Sequence, residues 1–243
     1  MYAFQFIRTW RDPFRHLILI AIPLLLISFF DYIFSGTGFA RSINSGPLPF
    51  TTVLTIGFAL MFQIHGSSLS FESIAEDFFT VKRDRLLSSP ADPRSIVVST
   101  MTMAAATSFL QTLVVVLCAV FILGTPMTSF AAVLLLLTLS VVLNQLLGTV
   151  ILLLSGSIKT ADIIVSVYGS IAPMTIGLYF PLPDHPLVDF MRHYLTPMAL
   201  TNTAILGFME QDWSKALTGS VGMIVFTVLL CIVLTIKVRR VTE

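Results

Sequence analysis

Six stretches of the 243-residue chain are almost continuously apolar: about 16–35, 48–69, 95–123, 129–154, 161–180 and 216–236. An α-helix rises 1.5 Å per residue, so roughly 20 apolar residues cross the ~30 Å hydrocarbon core of a bilayer. Each stretch therefore predicts one transmembrane helix. None carries an ionised residue at its centre; Asp31 and Asp162 sit near ends. A further apolar segment, 197–209 (PMALTNTAILGFM), is short for a crossing and contains Thr201, Asn202 and Thr203. It reads as a re-entrant or surface helix. Ahead of the first span, residues 2–15 place Ala3, Ile7, Trp10 and Phe14 on one helical face, with Phe6 beside it and Arg8, Arg11, Asp12 and Arg15 elsewhere. This is the pattern of an amphipathic helix lying in the membrane interface.

Composition agrees with this class. Hydrophobic residues make up 56% and charged residues 11%. Soluble domains carry about 25% charge, and so sparse a supply cannot cover a water-exposed surface. The fold class predicted is an all-α integral membrane protein: one domain over 1–243, with six spans, an N-terminal interfacial helix, a cytoplasmic loop helix and short outer helices before the last span. Cys118 and Cys231 both lie in apolar runs and read as packing residues.

The net charge of +1 carries no argument for nucleic acid, but the placement of the charges is informative. Six spans put both termini on one side. That side holds Arg8, Arg11, Arg15, Lys82, Arg83, Arg85, Arg94, Lys159, Lys237, Arg239 and Arg240, eleven of the fourteen Lys and Arg residues. The other side holds Arg41, Arg192 and Lys215. Positive residues collect on the cytoplasmic side, so both termini are expected in the cytoplasm, in a bacterial inner or plasma membrane. Residues 181–215 then lie outside.

Several chemistries are missing. The chain has no G-x-x-x-x-G-K-[ST] phosphate loop, no H-E-x-x-H and no C-x-x-C. His16, His65, His185 and His193 are scattered. No acid, base or nucleophile pair converges within the spans, so no enzyme activity is expected of this chain. Ion-coupled transporters usually keep ionisable groups at mid-membrane, and these spans do not. Small and polar residues do recur at helical spacing: Thr55, Ala59, Gln63 and Ser67; Thr100, Ala104, Ser108 and Gln111; Ser140, Asn144 and Gly148; Ser166, Ser170 and Gly177. Such stripes serve helix packing or line a path. Gln63, Asn144 and Gln145 are the candidates for a path.

Between the second and third spans lies SFESIAEDFFTVKRDRLLSSPADPRSIVVST. Residues 71–87 predict a helix with Phe71, Ile74, Ala75, Phe78, Phe79 and Leu86 mostly on one flank. Glu72, Glu76 and Asp77 occupy its first half and Lys82, Arg83 and Arg85 its second, the order that the helix dipole favours. Pro90 and Pro93 then break the helix and serve as a hinge into the third span, Asp92 capping it. The segment reads either as a solvated loop or as a docking helix whose aromatic side chains enter a groove on a cytoplasmic partner.

This arrangement resembles the type-2 family of ABC transporter permeases, the membrane subunits of many bacterial exporters. The likeness rests on the amphipathic N-terminal helix, Glu72 after the second span, the basic helix running into Leu86, Leu87, Ser89 and Pro90, and the proline-rich outer segment with Leu195, Thr196 and Pro197. The resemblance implies that two permeases, identical or paralogous, pair above two ABC ATPase subunits. It implies that Glu72 through Leu87 form the coupling helix, with Glu72, Glu76, Phe78, Phe79, Lys82, Arg83, Arg85 and Leu86 meeting the ATPase. ATP and Mg would bind the ATPase subunit, leaving this chain without a cofactor. Its cargo would be a hydrophobic or amphipathic small molecule such as a drug or antibiotic. A polysaccharide or lipid-linked glycan is the alternative. A membrane anchor that recruits a cytoplasmic protein and moves nothing is the reading from another class.

Overall fold

The computed structural model describes residues 7–8, 13–34, 47–80 and 93–242. Ile7 and Arg8 are helical. Nine longer helices follow among the described residues: α1 Pro13–Phe34, α2 Phe50–Gly66, α3 Ser68–Phe78, α4 Pro93–Ile122, α5 Phe130–Ser155, α6 Ile158–Thr175, α7 Pro186–Tyr194, α8 Pro197–Glu210 and α9 Trp213–Thr242. The described residues contain no strand. Five stretches are long and apolar enough to cross a membrane: Pro13–Phe34, Phe50–Phe78, Ser95–Ile122, Phe130–Ser155 and Trp213–Val238. The fifth predicted span, 161–180, falls on α6, an 18-residue helix that carries Lys159 and Asp162 near its start and ends at Thr175. Those two charges and the early stop keep it outside that group.

The centre of the bundle is built from α2, α3 and α5. The apolar window of Phe50–Phe78 is 72% buried, against 11% for Pro13–Phe34 and 17% for Trp213–Val238. Helices α1 and α9 therefore stand at the periphery and present Leu25, Phe29, Tyr32, Val225, Val228 and Ile232 outward. In a bilayer these side chains face lipid or another subunit at no hydrophobic cost.

The second span and the expected loop helix are nearly one rod. Phe50–Phe78 spans 29 residues, about 43 Å at 1.5 Å per residue. The hydrocarbon is ~30 Å thick, so roughly nine residues overrun it, from just before Glu72. The irregularity at Ser67 follows from the serines of GSSLS. Ser67 Oγ donates to the Ile64 carbonyl (2.7 Å), Ser68 Oγ to that of His65 (2.8 Å) and Ser70 Oγ to that of Ser67 (3.0 Å). Such back-bonding competes with the helical ladder and loosens it locally. The Ser70 amide bonds to the Ser67 carbonyl (3.2 Å), three residues back, and the Gly66 carbonyl accepts instead from Gln145 Nε2 on α5 (3.2 Å). On the same helix, a Cβ at Gly148 would lie 2.8 Å from Ser67 Oγ and 3.2 Å from the Phe71 ring. The close seat of α5 on the junction thus depends on glycine at this position.

The outer segment holds two unlike helices. α7 buries none of its residues. α8 buries most of its own and forms a tight hairpin with α9. Its 14 residues reach about 21 Å, short of a crossing. Thr196 Oγ1 caps its start by accepting from the Ala199 amide (3.0 Å). Gln211 in the left-handed region (φ 61°) ends it. Asp212 then caps α9, its carboxylate accepting from the amides of Ser214 (3.1 Å) and Lys215 (3.2 Å). The Lys215 amide bond, aided by the Lys215 ammonium, holds the Asp212 carboxyl below its ordinary value. A depressed carboxyl stabilises the fold above its unfolded-state pKa, and that contribution is lost as pH falls through the folded value. The hairpin requires bare backbone at Gly219, where a Cβ would lie 2.6 Å from the Ala204 nitrogen and from the Leu200 carbonyl oxygen. Neither backbone atom can step aside. We expect Gly219→Ala to destabilise the protein by about 1–3 kcal/mol, read as a lowered thermal midpoint in detergent. Thr218→Val, at an exposed neighbour, should leave the midpoint within experimental scatter.

Candidate functional site

The densest cluster of ionic contacts among the described residues lies where α3 meets the N-terminal segment. Arg8 Nη1 donates to both Asp77 oxygens (3.0 and 2.9 Å), and its Nη2 donates to Glu76 Oε2 (2.8 Å) and the Ser73 carbonyl (2.9 Å). Seven residues on, Arg15 forms a two-pronged pair with Glu72 (2.6 and 2.9 Å) and also donates to Ser68 Oγ. The earlier arginine meets the later acids, so the two segments run antiparallel. Arg8 and Asp77 are largely shielded, with side-chain exposures of 17% and 10%. Planar guanidinium groups suit this role because they match carboxylates with two parallel hydrogen bonds.

Beneath this ladder the aromatic flank of α3 faces inward. Phe71, Ile74, Ala75 and Phe78 are buried, packed against α4, α5 and α6. This corrects the expectation that the flank enters a groove on a partner. It fills the chain's own core, because α3 continues α2 and so keeps the same face toward α5. Phe78 is 4% exposed, whereas Phe79, at the C-terminal end, is 39% exposed. Glu72 and Glu76 face the N-terminal arginines. Lys82, Arg83, Arg85, Leu86, Pro90 and the expected cap Asp92 lie outside the described residues. Pro93 is the first residue of α4, where its missing amide costs nothing.

The three amides proposed for a path all point into helix contacts. Gln63 Nε2 donates to Thr112 Oγ1 (3.3 Å) and the Leu137 carbonyl (3.4 Å), joining α2 to α4 and α5. Gln145 serves the Gly66 carbonyl. Asn144 bonds within α5, to the carbonyl (3.0 Å) and hydroxyl (3.4 Å) of Ser140. Thr112 also borders a void of about 10 Å³, at the lower limit for a single water. In this conformation the three side chains hold helices together; lining a path would require those helices to part. Gln63 Oε1 and Gln145 Oε1 are buried without a hydrogen-bond partner, so each amide has an acceptor to spare if they do.

Sequence reasoning singled out Glu72 and Glu76 but missed Arg8 and Arg15 as their partners, and Asp77 as the second acid that Arg8 binds. A signal was present in the sequence: two arginines seven residues apart, away from the apolar face predicted for residues 2–15, and acids spaced by about one turn on α3. It missed His16 too. This histidine is buried in α1 with its Nδ1 2.8 Å from Gln111 Nε2, tying α1 to α4.

The family model described as ABC-2 type transporter matches residues 1–209, which include the ladder, the α2–α3 rod and nearly all of α8. The chain belongs to the ABC-2 type transporter family. It is a multi-pass membrane protein and an ABC transporter permease, the membrane component of a transporter and not itself its catalyst. ABC-2 permeases generally partner with ABC ATPase subunits. No curated protein and no solved structure matches the chain.

In this ABC-2 permease, the Arg15–Glu72 pair should show a coupling of about 1 kcal/mol in a double-mutant cycle of thermal stability, smaller at high salt. Arg15→Ala and Glu72→Ala should each lower the midpoint, and their double variant should fall by less than the sum. Full additivity would show that the pair contributes nothing.

Proposed function

We propose that this permease is the membrane half of an ATP-driven exporter that moves a hydrophobic or amphipathic small molecule out of the cell by alternating access. Two copies, or a copy and a paralogue, pair above two ABC ATPases that carry ATP and Mg. The ladder and the α3 surface beyond it face the cytoplasm, as the positive-inside count favours, in a bacterial inner membrane with both termini inside. The end of α3, with Phe79 and the basic run Lys82, Arg83, Arg85 and Leu86, meets the ATPase, and Pro90 and Pro93 mark the hinge into α4. Gln63, Asn144 and Gln145 line the path once the helices part.

The observation that carries this reading is the α2–α3 rod. It runs through the bundle for 29 residues, more than a ~30 Å hydrocarbon core requires, and its far end is clamped to the N-terminal segment by Arg8 and Arg15. Such a rod transmits a push at its exposed end to the packed interior, because close-packed cores transmit strain and do not absorb it. Ionised groups within hydrocarbon cost about 2.5–3.5 kcal/mol each even by the lowest scale, which supports placing this end at the aqueous face.

The test is complex formation and coupling. Purified in mild detergent after co-expression with the ABC ATPases of its cell, the permease should bring an ATPase with it, and the reconstituted pair should hydrolyse ATP faster with cargo present. Phe79→Asp should weaken the association about tenfold or more, since it removes an aromatic contact of about 2 kcal/mol, while leaving the thermal midpoint unchanged. Phe78→Asp should instead destabilise the permease itself, because that ring is in the core. Association without cargo-stimulated hydrolysis would favour the anchor reading, and absence of any ATPase partner would overturn the proposal.

A further inference from the structure

At the end of the bundle away from the ladder, a cavity of about 580 Å³ opens between the start of α2, the turn after α6, and helices α7, α8 and α9. Volumes of about 300–1,000 Å³ are usual for small-molecule sites. Its lining is divided by chemistry. Val53, Ile176, Leu178 and Leu206 form an apolar wall, and Asp184, Asp189 and Glu210 supply three carboxylates. Two fixed cations, Arg192 and Lys215, also border it, with His193. Lys215 is held by Glu210 (3.2 Å) and Asp212 (3.5 Å), and His193 Nδ1 lies 3.2 Å from Asp189. Tyr194 adds an aromatic ring, 39% exposed.

One side chain in this lining is unexplained by packing. Asn202 of α8 is 8% exposed, and its Oδ1 is buried with no hydrogen-bond partner. A buried acceptor left unsatisfied is destabilising. Its two neighbours on the helix are satisfied: Thr201 Oγ1 bonds to the Pro197 carbonyl (2.9 Å) and Thr203 Oγ1 to the His193 carbonyl (3.2 Å). Asn202 is therefore a polar group kept in a buried position beside a cavity where acidic groups outnumber fixed cations.

We propose that this cavity is a binding site for an amphipathic molecule bearing a protonated amine. The ammonium sits among Asp184, Tyr194 and Asn202, and its apolar body lies along Val53, Ile176, Leu178 and Leu206. An ammonium has three N–H donors and no acceptor, which matches a lining whose spare groups are acceptors. The tyrosine face adds a cation–π contact of the kind that ammonium ligands use. Asp184 provides the counter-charge: it is exposed, and among the described residues it has no ion pair. The inference rests on the exporter reading in one respect only: under it, this is the station the cargo occupies on the outer side, and the cargo belongs to the amphipathic amines.

The test uses the full-length permease alone in lipid nanodiscs with monodansylcadaverine, a fluorescent amphipathic primary amine, and its N-acetylated derivative, which is neutral. The amine should bind with a rise in dansyl fluorescence, and the acetylated form should bind at least about tenfold more weakly, the loss expected for one charge-assisted contact of ~1.5 kcal/mol or more. Asp184→Asn, at an exposed position that does not bear on folding, should weaken the amine severalfold and leave the acetylated form unaffected. Asn202→Leu should weaken it similarly, and Asn202→Asp, which keeps the shape and adds charge, should restore or tighten it. Equal binding of the two probes, or indifference to Asp184→Asn, overturns the proposal. Amine binding in a permease that recruits no ATPase would sink the exporter reading and leave the site standing. An ATPase-coupled permease that does not discriminate the probes would do the reverse.

Discussion

The architecture depends on keeping one acidic helix end out of hydrocarbon while its apolar flank stays packed. Glu72, Glu76 and Asp77 could not be carried into a bilayer core. Phe71, Ile74, Ala75 and Phe78, interleaved with them, could not be left in water without loss. Both demands are met by letting α2 run on as α3, still seated on α5, to a length greater than a ~30 Å hydrocarbon core requires. The acids then face Arg8 and Arg15 at the interface. A guanidinium pair at this depth is neither fully desolvated nor fully screened, so the Coulomb gain is kept without the penalty of a deep ion pair. The N-terminal segment is thereby tied to the rod, and the rod's position follows that of the segment.

This arrangement explains the irregular serine run at residues 67–70. A 29-residue helix with no interruption would leave the bundle along a single axis. The serine hydroxyls draw carbonyls away from the ladder at the level where α5 crosses, and Gln145 takes up the Gly66 carbonyl that is released. Gly148 lets the two helices close on the junction. Sequence, local geometry and packing thus agree at one point, and this is why the stripe Ser140, Asn144 and Gly148 runs down the same face of α5.

The apolar runs and the all-α class were legible in the sequence because they follow from length and periodicity alone; most of the amphipathic stretch 2–15 lies outside the described residues. The partner of the aromatic flank was not legible. A hydrophobic stripe shows which face of a helix avoids water; it does not show whether its cover comes from the same chain or another. In the sequence the flank at Phe71–Phe78 reads as part of a helix over 71–87, solvated or docked on a partner, with the charges at 72, 76 and 77 in its first half. These charges lie instead on the last turns of the α2–α3 rod, where Arg8 and Arg15 bind them. Asn202 shows the opposite limit. In sequence it was one polar residue in a segment too short to cross, and only the fold places it beside a cavity with its carbonyl unsatisfied.

The rod also links the two ends of the molecule. Val53, near its start, lines the cavity beside Asn202, and Asp77, near its end, is held by Arg8. Those residues are 24 positions apart, about 36 Å along a helix. A displacement at the ladder therefore has two outlets. It can bend the rod at Ser67, where the ladder of hydrogen bonds is already loosened, or it can shift the whole rod and change the cavity wall at Val53. Gln145 and Gly148 oppose the first by bracing the junction against α5. With the bend braced, a motion at the charged end would pass to the wall of the cavity, and a ligand held there would resist motion at the ladder by the same free energy, because coupling between two sites is reciprocal.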